Sequence, residues 1–426
     1  MSIANQPASS PGFDQLPEGL NASVPLPVFR TPMLDGNRQL FAYEILFPTL
    51  AEQAQDLPQR VLSTITDGAL TRLSRGNRAF VNLPSELLLE GSDVLLHQPR
   101  LGVVLKPEIA NDPAQMRLVK QMAQRGCQIM IDANNAPLGD SLAVEALLQT
   151  SQFVRLDADR LSPEAMREHS SRLHARGLGV IAGQVNEHTT YQRCLELPLQ
   201  AIQGRYLLIP QPVEVPAVLS ASRLSMLRLM ALLEEGNPGP VEMGKIVRDD
   251  AVLSYKLLSC VNSAYFALPR QMKSIEQAAI FFGATRMRNW INTMVMCTMD
   301  DRPPELLRAA LIRAHMCEGL ATGMPRGSSE TAFTVGLFSL LDTLMCAPME
   351  FLLTQLRLSP EISDALTGRG GPFGPLLREV LAWEAGTLNS GNTQPQRIRR
   401  MATVYLEATQ WADQVFSVAG GSRAAN

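Results

Sequence analysis

The sequence predicts an α/β domain, a TIM-like (β/α) barrel, followed by an all-α domain. Short apolar runs alternate with helical stretches up to about residue 209, and beyond that point only the helical pattern remains. The chain has 426 residues, which exceeds one ordinary core and favours two domains of about 200 residues each.

The barrel begins with a predicted hairpin. Residues 1–24 are rich in Ser, Pro, Asn and Gly and are predicted to form a disordered arm, so the barrel domain is assigned to 25–209. Two strand-like runs flank Asp35-Gly36-Asn37, a sequence typical of a hairpin turn. The first strand of the barrel is therefore expected to run antiparallel to the others.

Six more apolar runs follow the hairpin, and helical stretches alternate with them. This alternation predicts parallel strands with crossover helices, and a total of eight strands favours a closed barrel over an open sheet. The six strands are predicted at 79–83, 102–105, 128–132, 153–157, 179–182 and 201–203. The helices are predicted at 57–76, 113–126, 141–150, 163–176 and 188–198.

The second half carries helical signals only. Residues 210–220 contain regularly spaced prolines and are predicted to form a stiff linker. The helical domain is assigned to 221–414, and a flexible Gly/Ser/Ala-rich tail to 415–426. The helices are predicted at 221–235, 241–247, 250–261, 274–282, 284–298, 304–322, 329–347, 349–356, 360–367 and 373–385.

Composition and charge exclude several classes of function. With 46% hydrophobic and 19% charged residues, the chain has the composition of a soluble globular protein, and its net charge of −3 gives no case for binding nucleic acid. The six cysteines lack C-x-x-C spacing, which predicts reduced core thiols and neither disulfides nor zinc. Residues 1–24 contain no signal peptide pattern, and the longest apolar stretch, 332–347, is too short for a membrane span. A cytoplasmic location without membrane insertion is expected.

Polar residues stand at the ends of several predicted strands, where a (β/α) barrel presents its chemistry. Glu44, Asn82, Asp132 and Asp157 each lie at or near the end of an apolar run. At neighbouring positions, by contrast, the chain has Lys106, Ala133 and Gly183. The pattern resembles an acidic metal site from which several acids are missing.

The order of these motifs resembles an EAL domain, a barrel that hydrolyses the bacterial second messenger cyclic-di-GMP. The motifs are Tyr-Glu-Ile-Leu (43–46), Val-Asn-Leu (81–83), Val-Val-Leu-x-x-Glu (103–108), Ile-Asp (131–132), Arg-Leu-Asp (155–157), Ile-Ala-Gly-Gln-Val (181–185) and Ile-Gln-Gly-Arg-Tyr (202–206). The second half resembles an HDOD domain, a relative of HD phosphohydrolases that lacks their metal ligands, in residues 254–264, 274–278 and 283–290. The resemblance covers residues 25–390 and implies a bacterial signalling protein.

Five residues match functional positions of the EAL family. The resemblance implies that Glu44 matches the Glu of the EAL signature, Asn82 a metal-binding Asn and Asp132 the first Asp of the Asp-Asp-Phe motif. It also implies that Asp157 matches the Asp two residues after the catalytic Lys, and Gln203 the terminal Gln.

Five other family positions are substituted. The third-strand Glu falls on Lys106, the second Asp of the pair on Ala133 and the sixth-strand Glu on Gly183. The catalytic Lys falls on Arg155, and the Arg that helps to hold the ligand falls on Pro48.

The substitutions predict that no metal cofactor is held and that no residue is catalytic. A pair of divalent ions needs several carboxylates, whereas Lys106 adds a cation and neither Ala133 nor Gly183 offers a ligand. Arg155 keeps its proton and is a poor base. Glu108 lies beyond the strand end and is a weak substitute for the missing Glu.

The surviving residues also have a simpler interpretation. Glu44 and Asp132 can cap helices or pair with Lys106 and Arg155, Asn82 fits a turn or cap, and Gln203 precedes a glycine turn. Sequence alone therefore leaves two interpretations, a structural polar cluster and a remnant of a ligand pocket.

The helical half also lacks the residues of its ancestral site. In an HD domain a His-Asp pair binds metal, but here Ser339-Leu340 stand at that place, and Asp342 has no histidine beside it. His315 is predicted to be a hydrogen-bonded core residue. Methionines 287, 294, 296 and 299 are predicted core filler. Arg286, Arg288 and Trp290 form a basic-aromatic cluster, interpreted as a solvated helix end.

Three functions compete. The first is a non-catalytic signalling protein that acts through contacts with an unidentified signalling partner. The second is an effector that binds cyclic-di-GMP without hydrolysis, with Glu44, Arg155, Asp157 and Gln203 as ligand contacts. The third is a residual Mg²⁺- or Mn²⁺-dependent phosphodiesterase, which the missing ligands disfavour.

Overall fold

The computed structural model describes most of both halves of the chain. Predictions that concern residues 1–24, Pro48 and most of the 210–220 linker lie outside the described residues. The described ranges are 28–46, 69–82, 100–134, 141–209, 219–248, 250–263, 268, 271–299, 301–325, 327–388 and 394–419.

The first half is a closed eight-stranded barrel, as predicted. The first strand pairs antiparallel with its neighbours on both sides, and the remaining strands are parallel. The antiparallel first strand predicted from the hairpin is thus confirmed. The strands are β1 (Phe29–Leu34), β2 (Leu40–Leu46), β3 (Ala79–Asn82), β4 (Leu101–Leu105), β5 (Gln128–Asp132), β6 (Phe153–Asp157), β7 (Gly179–Gly183) and β8 (Ala201–Gln203).

Helices follow the barrel strands and cover the outside of the sheet. Ser141 and Ser162 cap two of them, because each serine side chain accepts a hydrogen bond from a backbone N–H of the first turn. Asp112 caps a third in the same way. The described helices are α1 (Ala69–Ser74), α2 (Pro113–Gln124), α3 (Leu142–Thr150), α4 (Pro163–Ala175) and α5 (His188–Cys194), with 3-10 helices at Pro107–Asn111 and Arg205–Leu208.

The interior of the barrel is a small apolar cluster with one polar layer above it. The cluster is formed by Met33, Ala42, Phe80, Val104, Met130, Phe153, Ile181 and Ala201. Side chains alternate between the two faces of a strand, so the residue two positions further along lies on the same interior side. Towards the carboxyl ends of six strands, this next layer holds six of the predicted site positions at one level: Glu44, Asn82, Asp132, Arg155, Gly183 and Gln203.

The second half is all-helical, as predicted. Its helices are α6 (Ala221–Glu234), α7 (Pro240–Arg248), α8 (Ala251–Val261), α9 (Ile275–Phe282), α10 (Ala284–Met296), α11 (Pro304–Leu320), α12 (Ser328–Phe338), α13 (Leu341–Met345), α14 (Met349–Leu356), α15 (Pro360–Leu366), α16 (Gly374–Glu384) and α17 (Pro395–Ala419). In the described ranges, no helix is long and apolar enough to cross a bilayer.

Two sequence predictions in this half were wrong. The helix predicted at 329–347 is two helices, because the backbone turns at Ser339 and Leu340, where the Ser339 hydroxyl donates to the Gly336 carbonyl oxygen. The flexible tail predicted from residue 415 is helical up to Ala419. Val415 and Ala419 are buried in the core, and this packing outweighs the small-residue composition of the segment.

The two halves meet in an interface that contains both aromatic and charged side chains. The Phe29 ring lies 4.7 Å from the Trp383 ring, and the Tyr43 hydroxyl donates to Glu305 Oε2 at 2.9 Å. The C-terminal ends of the strands, here called the barrel mouth, face a cavity whose other wall is the helical domain.

Candidate functional site

The barrel mouth is organised around Arg155, at the end region of β6. Its Nη1 donates to Glu44 Oε2 at 2.6 Å and to Gln203 Oε1 at 2.9 Å. Nε donates to Asp132 Oδ1 at 3.0 Å, and Nη2 lies 2.9 Å from Asp132 Oδ2. Arg155 thus binds one carboxylate through two nitrogens and bridges it to a second carboxylate across the mouth.

The charge of Arg155 is well compensated despite its burial. Its side chain is 6% exposed, and those of Glu44 and Asp132 are 3% and 10% exposed. Burial opposes the charged form of Arg155, but the two carboxylates outweigh it and hold the pKa of the guanidinium above its usual value. The interpretation that Glu44 and Asp132 pair with Arg155 is therefore confirmed.

Gly183 leaves the space that Arg155 occupies. A Cβ at position 183 would lie 2.9 Å from Arg155 Cγ, 3.0 Å from its Cδ and 2.8 Å from Asn134 Oδ1. These distances are shorter than van der Waals contact, so any side chain at 183 would have to displace the arginine. Gly183 and Arg155, which stand at the family positions of a Glu and of the catalytic Lys, are thus sterically linked.

Gln203 completes the cluster, but two buried acceptor atoms at the mouth have no partner among the described residues. Its Nε2 donates to Glu44 Oε2 at 2.5 Å, so this oxygen receives two hydrogen bonds. Glu44 Oε1 and Asn134 Oδ1 are buried and have no partner among the described residues. Sequence reasoning missed Asn134, although its position two residues after Asp132 places it on the same side of the chain.

Other predicted site residues do not join the cluster. Asp157 is buried, but its Oδ1 accepts the backbone N–H groups of Asp159 and Arg160, and it therefore shapes the loop after β6. Lys106 lies one residue beyond β4 and is exposed, as is Glu108. No ion pair of Lys106 occurs among the described residues, so the expected pairing of Lys106 with Glu44 or Asp132 was wrong.

The remaining positions are Asn82 and Ala133. Asn82 is half-buried at the end of β3 and lines the cavity at the mouth. Ala133 is half-buried just beyond β5 and packs against the apolar layer on the outside of the barrel. Of the five matched residues, Glu44, Asp132 and Gln203 are bonded to Arg155, Asn82 lies nearby and Asp157 is turned away.

The residues present do not fit the metal pair of the EAL family. Both carboxylates at the mouth are engaged with a guanidinium that lies where a cation would be held. Across the described ranges, no cluster of three or more His, Cys, Asp or Glu side chains is close enough to hold an ion. Hard divalent ions require several oxygen ligands that are not already neutralised.

A cavity of about 740 Å³ lies between the mouth and the helical domain. This volume falls in the range of small-molecule sites, about 300–1,000 Å³. On the barrel side it is lined by the Arg155 cluster, together with Gln184, Asn186 and Arg205. On the opposite side it is lined by residues of α11 and α16, including Ile312, Arg313, Met316 and Glu384.

A second buried arginine, Arg313, contacts Ser339, the position where the resemblance to HD domains would place the metal-binding pair. Arg313 Nη2 lies 2.6 Å from Glu384 Oε2, and its Nη1 donates to Ser339 Oγ at 3.2 Å. Asp342 is mostly buried nearby, and burial raises its pKa, while hydrogen bonds from Thr343 and the charge of Arg313 act in the opposite direction. Arg313 also lines the mouth cavity, so buried arginines of both domains face the same space.

The other candidates in the helical half are structural. The His315 ring packs against Trp411 at 5.0 Å, and its Nδ1 lies 3.4 Å from Glu318 Oε2, so the predicted hydrogen-bonded core histidine is confirmed. Methionines 287, 294, 296 and 299 are buried, as predicted. All six cysteines are buried or half-buried.

The basic-aromatic cluster on α10 does not form one surface. Trp290 is buried against Trp411, whereas Arg286 lies 3.5 Å from Glu330 and Arg288 lies 3.6 Å from Glu234. The two arginines and the tryptophan therefore contact different neighbours.

The protein has two domains. The first is an eight-stranded barrel with an antiparallel first strand and polar residues at its strand ends, and the second is all-helical. Residues 221–353 match the HDOD domain family. The predicted HDOD domain is thus found in the second half, and the closed barrel before it has the fold that the resemblance to an EAL domain led us to expect. The family match begins at the first helix assigned to the second domain and ends within α14.

Curated relatives and solved structures show similarity over different parts of the chain. The uncharacterized protein YuxH of Bacillus subtilis is 24% identical over 399 residues, which cover 90% of this chain and 97% of YuxH. The cyclic di-GMP phosphodiesterase CdgJ of Vibrio cholerae is 26% identical over 363 residues, covering 82% of this chain and 83% of CdgJ. The crystal structure of the FimX EAL domain from Pseudomonas aeruginosa bound to c-di-GMP is 20% identical, with a TM-score of 0.34, and covers 42% of this chain and 88% of that domain.

Proposed function

We propose that this protein is a non-catalytic component of cyclic-di-GMP signalling that acts through contact with a signalling protein. The observation that carries the proposal is the position of Arg155, which neutralises Glu44 and Asp132 at the place where metal ions would have to bind. A buried carboxylate that is paired with a guanidinium is a poor ligand for a divalent ion.

The steric link between Arg155 and Gly183 supports the same conclusion. In a barrel that had lost a single ligand, the other residues would remain arranged for metal. Here Arg155 Cγ and Cδ take up the space that a side chain at 183 would need, and the guanidinium donates to two carboxylates and one amide oxygen. The charges of Glu44 and Asp132 are thus paired with Arg155 without an ion, although Glu44 Oε1 has no partner among the described residues.

The relation to cyclic-di-GMP signalling comes from the relatives. CdgJ is named as a cyclic di-GMP phosphodiesterase, and it matches this chain over both domains. The two-domain organisation is therefore compatible with a signalling setting. The residues at the mouth of this chain favour a role in that setting that does not require hydrolysis.

A hydrolysis assay tests the proposal. Purified protein with radiolabelled cyclic-di-GMP and Mg²⁺ or Mn²⁺ is expected to give no more linear product than buffer alone, because no metal pair is held beside the phosphodiester. CdgJ from Vibrio cholerae, assayed in parallel, is the positive control. Metal-dependent turnover that disappears in Glu44→Ala would contradict the proposal.

A second function, binding of cyclic-di-GMP without hydrolysis, is favoured by the cavity at the mouth. The cavity is large enough for a small molecule, and Glu44 Oε1 and Asn134 Oδ1 are buried acceptors without a partner in the described residues. Of the four predicted ligand contacts, Glu44, Arg155 and Gln203 face this cavity, and Asp157 does not line it.

Isothermal titration with cyclic-di-GMP distinguishes the two functions. The non-catalytic contact function predicts no heat of binding at micromolar ligand, because the polar groups of the cluster already bond to one another. Saturable binding that is weakened about tenfold or more in Gln203→Ala would favour the effector function instead. An alanine variant of Asp157, which lies outside the cavity, is the matched control.

A further inference from the structure

We propose that a small second cavity, between the barrel and the helical domain, binds a tetrahedral oxyanion such as inorganic phosphate. The cavity is separate from the Arg155 cluster, and none of the residues at the barrel mouth discussed above lines it. Its polar and aromatic lining consists of Arg38, His188, Tyr191, Tyr206, Arg302 and Thr343.

Two guanidinium groups from different domains face this cavity without a counter-ion. Arg38 lies in the β1–β2 hairpin, and Arg302 lies just before α11. Among the described residues, neither arginine is within ion-pair distance of a carboxylate. Asp35 lies nearby, but its Oδ1 accepts the backbone N–H groups of Asn37 and Gln39. In the described part of the chain, neither guanidinium is therefore neutralised by a direct ion pair.

The hydrogen bonds that these arginines make leave donors available. Arg38 donates from Nε to the Tyr191 hydroxyl at 3.3 Å, so both of its terminal nitrogens lack a partner in the described part of the chain. Arg302 donates from Nε to the Leu344 carbonyl oxygen at 2.7 Å, and its Nη2 lies 2.8 Å from Cys346 Sγ. Its Nη1 lacks a described partner. A guanidinium presents five N–H donors, and terminal N–H groups are those that bind oxyanions.

The hydroxyl of Tyr206 is the independent observation that points to a ligand. Tyr206 is 8% exposed, it lines the cavity, and its hydroxyl has no hydrogen-bond partner among the described residues. Burial raises the pKa of Tyr206, and the positive charge of Arg38 acts in the opposite direction. A buried hydroxyl left without a partner is costly, and an oxyanion would accept its hydrogen bond.

Rigid packing and size complete the site. The Tyr191 and Tyr206 rings stack at 4.3 Å with an interplanar angle of 11°, so the hydroxyl is held in place. The cavity measures about 40 Å³. One water needs about 10–15 Å³ of such volume, so the space corresponds to about three water positions, which a tetrahedral oxyanion would fill. An oxyanion bound there would contact both domains and stabilise their arrangement.

A thermal unfolding experiment with the full chain tests this proposal. Inorganic phosphate at constant ionic strength is expected to raise Tm in a saturable manner, since a ligand that binds only the folded protein stabilises it. Phenyl phosphate in a parallel series distinguishes free phosphate from a phosphoryl group carried by a larger molecule. Equal stabilisation by chloride at matched ionic strength would overturn the proposal, because the effect would then be general screening.

Substitutions of the lining residues locate the site. Arg38→Gln and Arg302→Gln are each expected to weaken phosphate binding about tenfold or more, because each removes charge-assisted hydrogen bonds. Tyr206→Phe tests the hydroxyl without changing the ring stack. Arg117→Gln, an exposed position on α2 that does not line the cavity, makes the same change of charge and is expected to bind as the natural protein does. Unchanged affinity in all three lining variants, each folded by circular dichroism, would place the anion elsewhere and reject this site.

Discussion

Replacement of Arg155 by methionine is expected to lower the free energy of unfolding by about 3–5 kcal/mol, the cost of removing one partner from a buried ion pair. The variant would leave Glu44 and Asp132 buried without their cation, since both side chains are at most 10% exposed. It would also leave the Gln203 amide oxygen without its donor. Urea denaturation followed by circular dichroism measures the change.

Two further variants show whether the loss comes from uncompensated charge. Arg155→Met combined with Glu44→Gln and Asp132→Asn is expected to recover most of the lost stability, because a buried charged cluster can be replaced by neutral groups at little net cost. Arg160→Met is the matched surface control: its side chain is 70% exposed beside Asp157, and a change of about 0–1 kcal/mol is expected. If Arg155→Met lowers the free energy of unfolding no more than Arg160→Met does, Arg155 does not compensate the negative charges of Glu44 and Asp132.

The same background tests the steric link to Gly183. Gly183→Ala is expected to cost about 1–3 kcal/mol in the natural protein, because the added Cβ would press on Arg155 Cγ and Cδ. Methionine is more flexible and bears no charge, so the cost of Gly183→Ala is expected to be smaller in the Arg155→Met background. A double-mutant cycle measures this difference, and strict additivity would argue that the two positions are independent.

The strands could be predicted from the sequence because each one depends on residues that are close together along the chain. Alternating apolar runs give eight strands, and Asp35-Gly36-Asn37 gives the hairpin that makes β1 antiparallel. The position of the site along the barrel axis could also be predicted from the sequence. Side chains alternate along a strand with a period of two, which places Glu44, Asp132 and Gln203 above the same interior layer. Each of these features depends on residues within a few positions of one another.

The side chains with which these residues pair were harder to predict from the sequence, because the partners are far apart along the chain and meet only in the folded structure. Arg155 was predicted as a poor base, but the sequence could not choose between Arg155 and Lys106 as the cation that pairs with Glu44. The structure places Lys106 outside the cluster, because β4 ends one residue before it. Likewise, the burial of Val415 and Ala419 depends on packing against distant helices, whereas the local composition indicated a flexible tail.

The interface between the two halves of the chain was not predicted from the sequence, because its charged residues are far apart along the chain. Asp413 on α17 receives Arg30 from β1, with Nη1 to Oδ2 at 2.9 Å. Arg75 and Arg308 each approach Asp413 Oδ1 through Nε at 3.1 Å. Burial opposes the charge of Arg30, but Tyr43 and Asp413 favour it and hold its pKa above the usual value. Asp413 thus pairs with three arginines from three different parts of the chain, and two of these arginines also pair with Glu305.

Asp413→Asn is therefore expected to lower the free energy of unfolding by about 3–5 kcal/mol. Among the described residues, Arg75 and Arg308 would keep only Glu305 as a counter-ion, and Arg30 would keep none. Asparagine has nearly the same shape as aspartate, so the loss would come from charge and not from a cavity. Denaturant unfolding at neutral pH measures the effect.

Asp301→Asn provides the comparison for Asp413→Asn, because Asp301 pairs with a single arginine, Arg223, at a position where its own side chain is 61% exposed. The expected cost there is about 0–1 kcal/mol. The argument also predicts the direction of a second change: Asp413→Asn combined with Arg75→Gln removes one of the excess cations and should be more stable than Asp413→Asn alone. If the second substitution instead lowers stability further, repulsion among the arginines is not what destabilises the interface, and Asp413 acts there through hydrogen bonds alone.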